Sequence, residues 1–200
     1  MEYTYKEILK KYDYEDPEQI FEAIEKSEDP VSFEMLYMIV LWKTNRLIHS
    51  DDLKQIKEKI KALRLNPQTE YNRNDVEELL TLLLKTKGIR LPMASTILHF
   101  YFPDVFPIID QRAYRAAYSW DFSQKYSDEG YKRAAKTEYP KQMTLKGDAA
   151  IKKAIGLYFG YIKQCKEIIS KLKPELNLGM KDIDRLLYTM NALSKIPVNY

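Results

Sequence analysis

Asp110 stands alone between an apolar run, "VFPII", and a basic one, "QRAYR". A carboxylate at that junction can cap the helix that follows, because Asp accepts hydrogen bonds from the first unpaired backbone N–H groups. An anion held at the end of an apolar loop can also stabilise a positively charged sugar in a transition state, or orient a water. Upstream, "LLLKTKGIRLPMASTIL" sets one glycine, Gly88, between two helical patterns and surrounds it with Lys85, Lys87 and Arg90. Glycine admits φ > 0 and close backbone approach. The helix starting after it presents unpaired N–H groups, and with the helix dipole these can hold a phosphate without reading a base. Plainer roles stay open for both features: Asp110 as a cap only, and Gly88 as the C-cap of an ordinary helical hairpin.

Other chemistries are excluded by composition. There is one cysteine, Cys165, so a disulfide framework, a four-cysteine iron–sulfur cluster and a cysteine-based zinc site are ruled out. The two histidines, His49 and His99, lie far apart, and no metal site is expected. No cofactor is expected either. The net charge is only +3, but it is unevenly spread. Residues 1–34 hold eleven acids against four lysines, leaving +10 for the rest, and residues 132–153 carry seven Lys/Arg against two acids. That asymmetry suits a polyanionic partner on one face; a solvated basic surface is the alternative. The first residues show no basic start with an apolar core, and no apolar run approaches bilayer length. A cytoplasmic monomer is the expectation, nucleoid-associated if bacterial.

The elements that must position Asp110 and Gly88 are helical. Glycines number only six and prolines fall mostly at boundaries. Pro17, with Asp16 as N-cap, opens a helix to about Ser27. Residues 32–46, apolar on nearly every face through Trp42, predict a buried helix with an emerging polar end. Residues 51–63 predict a lysine-rich amphipathic helix. Asn74 with Glu77 reads as a capping box opening a helix to about Thr86. A turn at Gly88 leads to a helix from Leu91 to about Tyr101, and Asp110 caps one running to about Tyr118. Residues 119–147 read as irregular or short helices. Asp148 reads as the cap of a long helix with Ile151, Ile155, Tyr158, Ile162, Cys165, Ile169 and Leu172 on one stripe, and a last helix spans about Lys181 to Ser194. No strand alternation, repeat or low-complexity tract stands out, so the fold class is all-α.

In order along the chain, "FEMLYMIVLWKTNR", "KGIRLPMASTIL" and "VFPIIDQRAYRAA" resemble three segments of the helix–hairpin–helix DNA glycosylase superfamily, which includes the endonuclease III and adenine glycosylase families. They are similar to its "PFE-x-L" helix, its "PGVGxxTAxxIL" hairpin and its "FPVDxxVxRVL" segment, whose Asp is the catalytic carboxylate and falls on Asp110. The resemblance covers roughly residues 31–118. It implies two helical lobes flanking a cleft. Residues 31–118 would be a six-helix core lobe, and residues 1–30 with 119–200 the second lobe, in one all-α unit. It implies binding of double-stranded DNA, damaged or mismatched, with the hairpin residues Lys85, Lys87, Gly88 and Arg90 on phosphates. Lys43, Asn45 and Arg46, at the polar end of the first helix, would face the gap left by a flipped base. Trp42, Tyr101 and Tyr114 are candidates to stack on that base, although core packing would also account for them.

The departures from the pattern carry chemistry. Lyase-active members place a Schiff-base lysine four residues after the first hairpin glycine; here Pro92 stands there, which leaves a monofunctional glycosylase without lyase activity. Arg90 replaces the usual second glycine. Thr44 and Asn45 stand where a glutamine is usual, and the cluster cysteines of some branches are missing. An inactive helix–hairpin–helix module that binds DNA or protein is the alternative reading.

Overall fold

The computed structural model describes residues 1–12, 17–44, 53–65, 71–140 and 147–197. Among these, ten helices and one two-stranded sheet are found, in agreement with the all-α expectation. In chain order they are β1 (Glu2–Tyr3), α1 (Tyr5–Leu9), α2 (Glu18–Lys26), α3 (Phe33–Thr44), α4 (Leu53–Leu65), α5 (Arg73–Lys85), α6 (Leu91–Tyr101), α7 (Gln111–Ser119), β2 (Tyr126–Ser127), α8 (Asp128–Ala134), α9 (Asp148–Leu172) and α10 (Met180–Leu193). Within residues 31–118 the described residues carry α3 to α7. None of the described helices is long and apolar enough to cross a membrane.

The sequence pattern explains most of these helices, with three local differences. The cap of α5 is Asn72, whose side chain accepts from the Asn74 N–H at 2.8 Å; Glu77 instead pairs with Arg73 at 2.7 Å. The N-cap of α9 is Gly147, at φ 100°, and Asp148 occupies the first turn, where its charge complements the helix dipole. The third concerns α3. Leu36, Ile39 and Val40 are fully buried, but Met38 and Leu41 remain exposed, because α2 and α6 cover only one side of the helix. Asp16 lies outside the described residues.

Two packings matter for function. Helix α7 buries Ala113, Ala116 and Ala117, whose small side chains let α9 and α10 approach closely. Helix α10 answers with Ile183, Leu186, Leu187 and Met190, all fully buried. The amino-terminal segment joins the same region: Glu2 and Tyr3 pair antiparallel with Ser127 and Tyr126, and α1 packs on α10. Tyr5 donates to the Gln124 carbonyl at 2.7 Å and accepts from the Trp120 indole at 3.0 Å, which consumes Trp120 in structure.

Candidate active site

The segment that delivers Asp110 has no regular structure of its own, so its backbone groups need partners from elsewhere. Four side chains from two helices supply them. From α6, the Ser95 hydroxyl accepts from the Ile109 N–H at 3.1 Å, and His99 Nδ1 lies 2.8 Å from the Phe106 carbonyl. From α9, Tyr158 donates to the Pro107 carbonyl at 2.9 Å and Tyr161 to the Ile108 carbonyl at 3.2 Å. All four side chains are buried. A carbonyl can only accept, so His99 carries its proton on Nδ1. Burial pushes its pKa down to about 4, which keeps the ring neutral at ordinary pH. Burial likewise raises the phenols of Tyr158 and Tyr161 well above their usual range, so both remain donors. The result is a rigid approach to Asp110.

Asp110 itself divides its carboxylate between two tasks. Oδ1 accepts from the Ala113 N–H at 2.8 Å, which caps α7. Oδ2 lies 3.9 Å from Lys43 Nζ, contributed by the last turn of α3. Both side chains are mostly shielded, 24% exposed for Asp110 and 16% for Lys43, so this pair is less screened than a surface one.

Around them the fold closes a pocket lined by Tyr12, Trp42, Lys43, Ile108, Asp110, Asp184 and Tyr188. It opens to solvent, and the space within it has room for about one water. Asp184 is its second carboxylate. Its Oδ1 is shut off from solvent and has no hydrogen-bond partner. Burial raises its pKa to about 7, with the nearby Asp110 adding to the rise and Lys43 and Arg185 opposing it. One pocket therefore combines a capped carboxylate, a lysine beside it, and a carboxyl group that exchanges its proton near neutrality. The aromatic walls are cross-linked to cations. Arg112 lies over the Tyr188 ring at 4.8 Å, Arg185 over Tyr12 at 5.5 Å, and Lys43 over Trp42 at 5.8 Å, while Tyr12 and Tyr188 meet edge-on at 6.0 Å.

Of the residues expected from sequence, the pocket brings together Asp110, Lys43 and Trp42. Tyr101 and Tyr114 are not part of its lining. Tyr101 is buried in the core with Arg64 over its ring at 5.7 Å, and Tyr114 packs against Tyr118, Tyr139 and Tyr161. Arg115 turns away from Asp110 toward Asn191 and the Pro197 carbonyl. Asn45 and Arg46 lie outside the described residues. Sequence reasoning passed over Asp184, Tyr12 and Tyr188. For Asp184 a signal existed: it falls four residues after Met180 and three before Leu187, both buried, so it is an acid inside the inward stripe of α10.

The turn between α5 and α6 is a separate surface. Gly88 takes φ 97°, a left-handed conformation that favours glycine, and the Ile89 N–H closes the turn on the Thr86 carbonyl at 3.1 Å. Arg90 is the N-cap of α6 and no side chain caps that end; Pro92 in the first turn removes one N–H donor. Lys85, Lys87, Gly88 and Arg90 are all exposed, and Lys85 pairs with Asp148 at 3.2 Å. Among the described residues no group of three or more His, Cys, Asp or Glu is arranged to hold a metal ion. No protein-family model, curated protein or solved structure matches this chain.

Proposed function

We propose that this protein is a DNA-binding base glycosylase that hydrolyses the N-glycosidic bond of a damaged or mismatched base, without lyase activity. The observation that carries this reading is the pocket itself, where the capped carboxylate of Asp110 faces Lys43 and Asp184 between aromatic walls. Glycosidic hydrolysis needs an anion beside the sugar as it becomes an oxocarbenium ion, and a group that handles a proton. Asp110, on a segment held by four buried side chains, is fit for the first task. The exposed basic turn at Lys85, Lys87, Gly88 and Arg90 supports phosphate binding, since a helix end with cations around it grips the backbone whatever the sequence. In this reading the two helical lobes flank a cleft that takes double-stranded DNA, and the base is flipped toward Trp42.

One observation favours a second reading. The pocket has room for about one water and not for a base, so admitting a base requires its lining to move. A helix–hairpin–helix module that binds DNA without chemistry, with Asp110 kept as a cap, needs no such movement. The test is base release from duplexes bearing uracil, 8-oxoguanine, alkylated bases and mismatches. Release supports the glycosylase. Salt-sensitive binding without release supports the module, and neither result leaves a protein-interaction role.

A further inference from the structure

We infer that Asp184 is the proton donor to the departing base, and that the pocket is built for uncharged bases rather than cationic, alkylated ones. This rests on the glycosylase reading of the same site. Its starting point is geometric. Asp184 and Asp110 come from different elements, α10 and the cap of α7, yet line one pocket together with Lys43 of α3. Asp110 has both oxygens engaged, one by the Ala113 N–H and one beside Lys43. Asp184 Oδ1 has no partner at all and is withheld from water. An unpartnered carboxyl oxygen in a polar pocket is costly unless it is protonated or meets a ligand.

The groups facing Asp184 set its proton affinity. Burial and Asp110 favour the acid; Lys43 of α3, Arg185 of its own helix and a hydrogen bond from its own backbone N–H favour the anion. From α9, the buried Tyr158, Tyr161 and Cys165 feel its charge, and they are neutral donors rather than counter-ions. Tyr12 and Tyr188 complete the pocket. The balance places its proton exchange at about 7, where a general acid is most effective.

The step balances as follows. The glycosidic C–N bond breaks with its electron pair going to the base, and the Asp184 proton goes to a ring nitrogen of that base. The sugar cation formed beside Asp110 takes the oxygen of a water, and the proton that water loses restores Asp184. Hydrolysis therefore consumes one water and needs no other reagent.

Charge selects the substrate. An uncharged base is a poor leaving group and gains from a proton; a base already cationic through alkylation leaves as a neutral molecule and gains nothing. Aromatic walls usually attract cations, but here Arg112, Arg185 and Lys43 already lie over Tyr188, Tyr12 and Trp42. A cationic base would meet three resident cations.

The experiment is single-turnover base release from duplexes carrying uracil, hypoxanthine, 8-oxoguanine or mispaired adenine, beside duplexes carrying 7-methylguanine or 3-methyladenine. Wild type and Asp184→Asn are compared from pH 5.5 to 8.5. The expected result is release of at least one uncharged base, with a rate that falls about tenfold per pH unit above roughly 7. No release of the cationic bases above the uncatalysed rate is expected. Asp184→Asn should be slower by about a hundredfold at pH 6.5 and should lose that pH dependence. The wild-type pH limb and base preference test the inference even if the variant folds poorly. Release by Asp184→Asn with the wild-type rate and pH profile, or a preference for cationic bases, overturns this inference while leaving the glycosylase reading standing. No release of any base by the wild type overturns both.

Discussion

Replacing Asp110 by Asn separates its two tasks, because each oxygen has its own partner. The Asn carbonyl can keep the 2.8 Å bond from the Ala113 N–H, so the cap on α7 survives. The amide nitrogen then takes the place of Oδ2, 3.9 Å from Lys43 Nζ, and sets a donor against a cation. The lost pair is mostly shielded, and the lost charge also complemented the dipole of α7. Together these should cost about 0.5–1.5 kcal/mol. For a chain of this length that lowers Tm by about 1–6 °C. Asp110→Ala removes the cap as well and should cost about 1 kcal/mol more. Base release should respond differently. One preorganised charge beside a developing cation is worth about 3 kcal/mol, so both variants should release base about a hundredfold more slowly. Duplex affinity should hold or rise slightly, since a negative charge near phosphates is gone. Melting, duplex binding and single-turnover release are to be measured on both variants. Full release by the folded Asn variant would remove Asp110 from the mechanism and leave it as a cap.

Duplex binding should weaken about ten- to a thousandfold from low to physiological salt, and Arg90→Glu should weaken all sequences alike; affinity indifferent to both would rule out the phosphate grip of the α5–α6 turn. Under the proposed reading, borohydride should trap no adduct on abasic DNA, because Pro92 stands where that reading would need a Schiff-base amine; an adduct mapped to Lys43, beside Asp110, would show that another amine serves. His99 should titrate by NMR at about 4. Because its native pKa is depressed below the ordinary 6.5, its contribution to stability is complete above 6.5 and is lost as pH falls toward 4, by up to about 3 kcal/mol. An ordinary imidazole titration would show that the Phe106–Asp110 segment is not held as described. Asp184 works in the opposite direction. Its native pKa is raised, so it weakens the fold as pH rises from about 4 to about 7, and Asp184→Asn should melt above wild type at pH 8 and level with it near pH 4. Equal melting at both pH values would place Asp184 in water rather than in the pocket.

Local chemistry was legible along the chain. Gly88 turned out left-handed because only the sequence-adjacent need for a tight turn governs that choice, and Asp110 caps α7 because an N-cap acts on the N–H groups of its own first turn. The helical periods of α5, α6, α9 and α10 likewise depend on nearest neighbours and read correctly to within a residue or two. Caps were less certain: Asn72 and Gly147 displaced Asn74 and Asp148 by one or two positions, since several neighbouring residues can start a helix and the packed ends decide among them. What the sequence could not hold was which side chains meet. Ser95, His99, Tyr158 and Tyr161 carry no local mark of a shared task, and they become the frame for Asp110 only when α6 and α9 close on the same loop. Asp184 reads as one more acid on an amphipathic helix until the packing of α10 against α7 turns it into a pocket with Lys43 and Asp110. Burial and opposing charges then give it a proton affinity that residue type alone does not contain, because pKa follows from the surroundings, and tertiary contact supplies the surroundings.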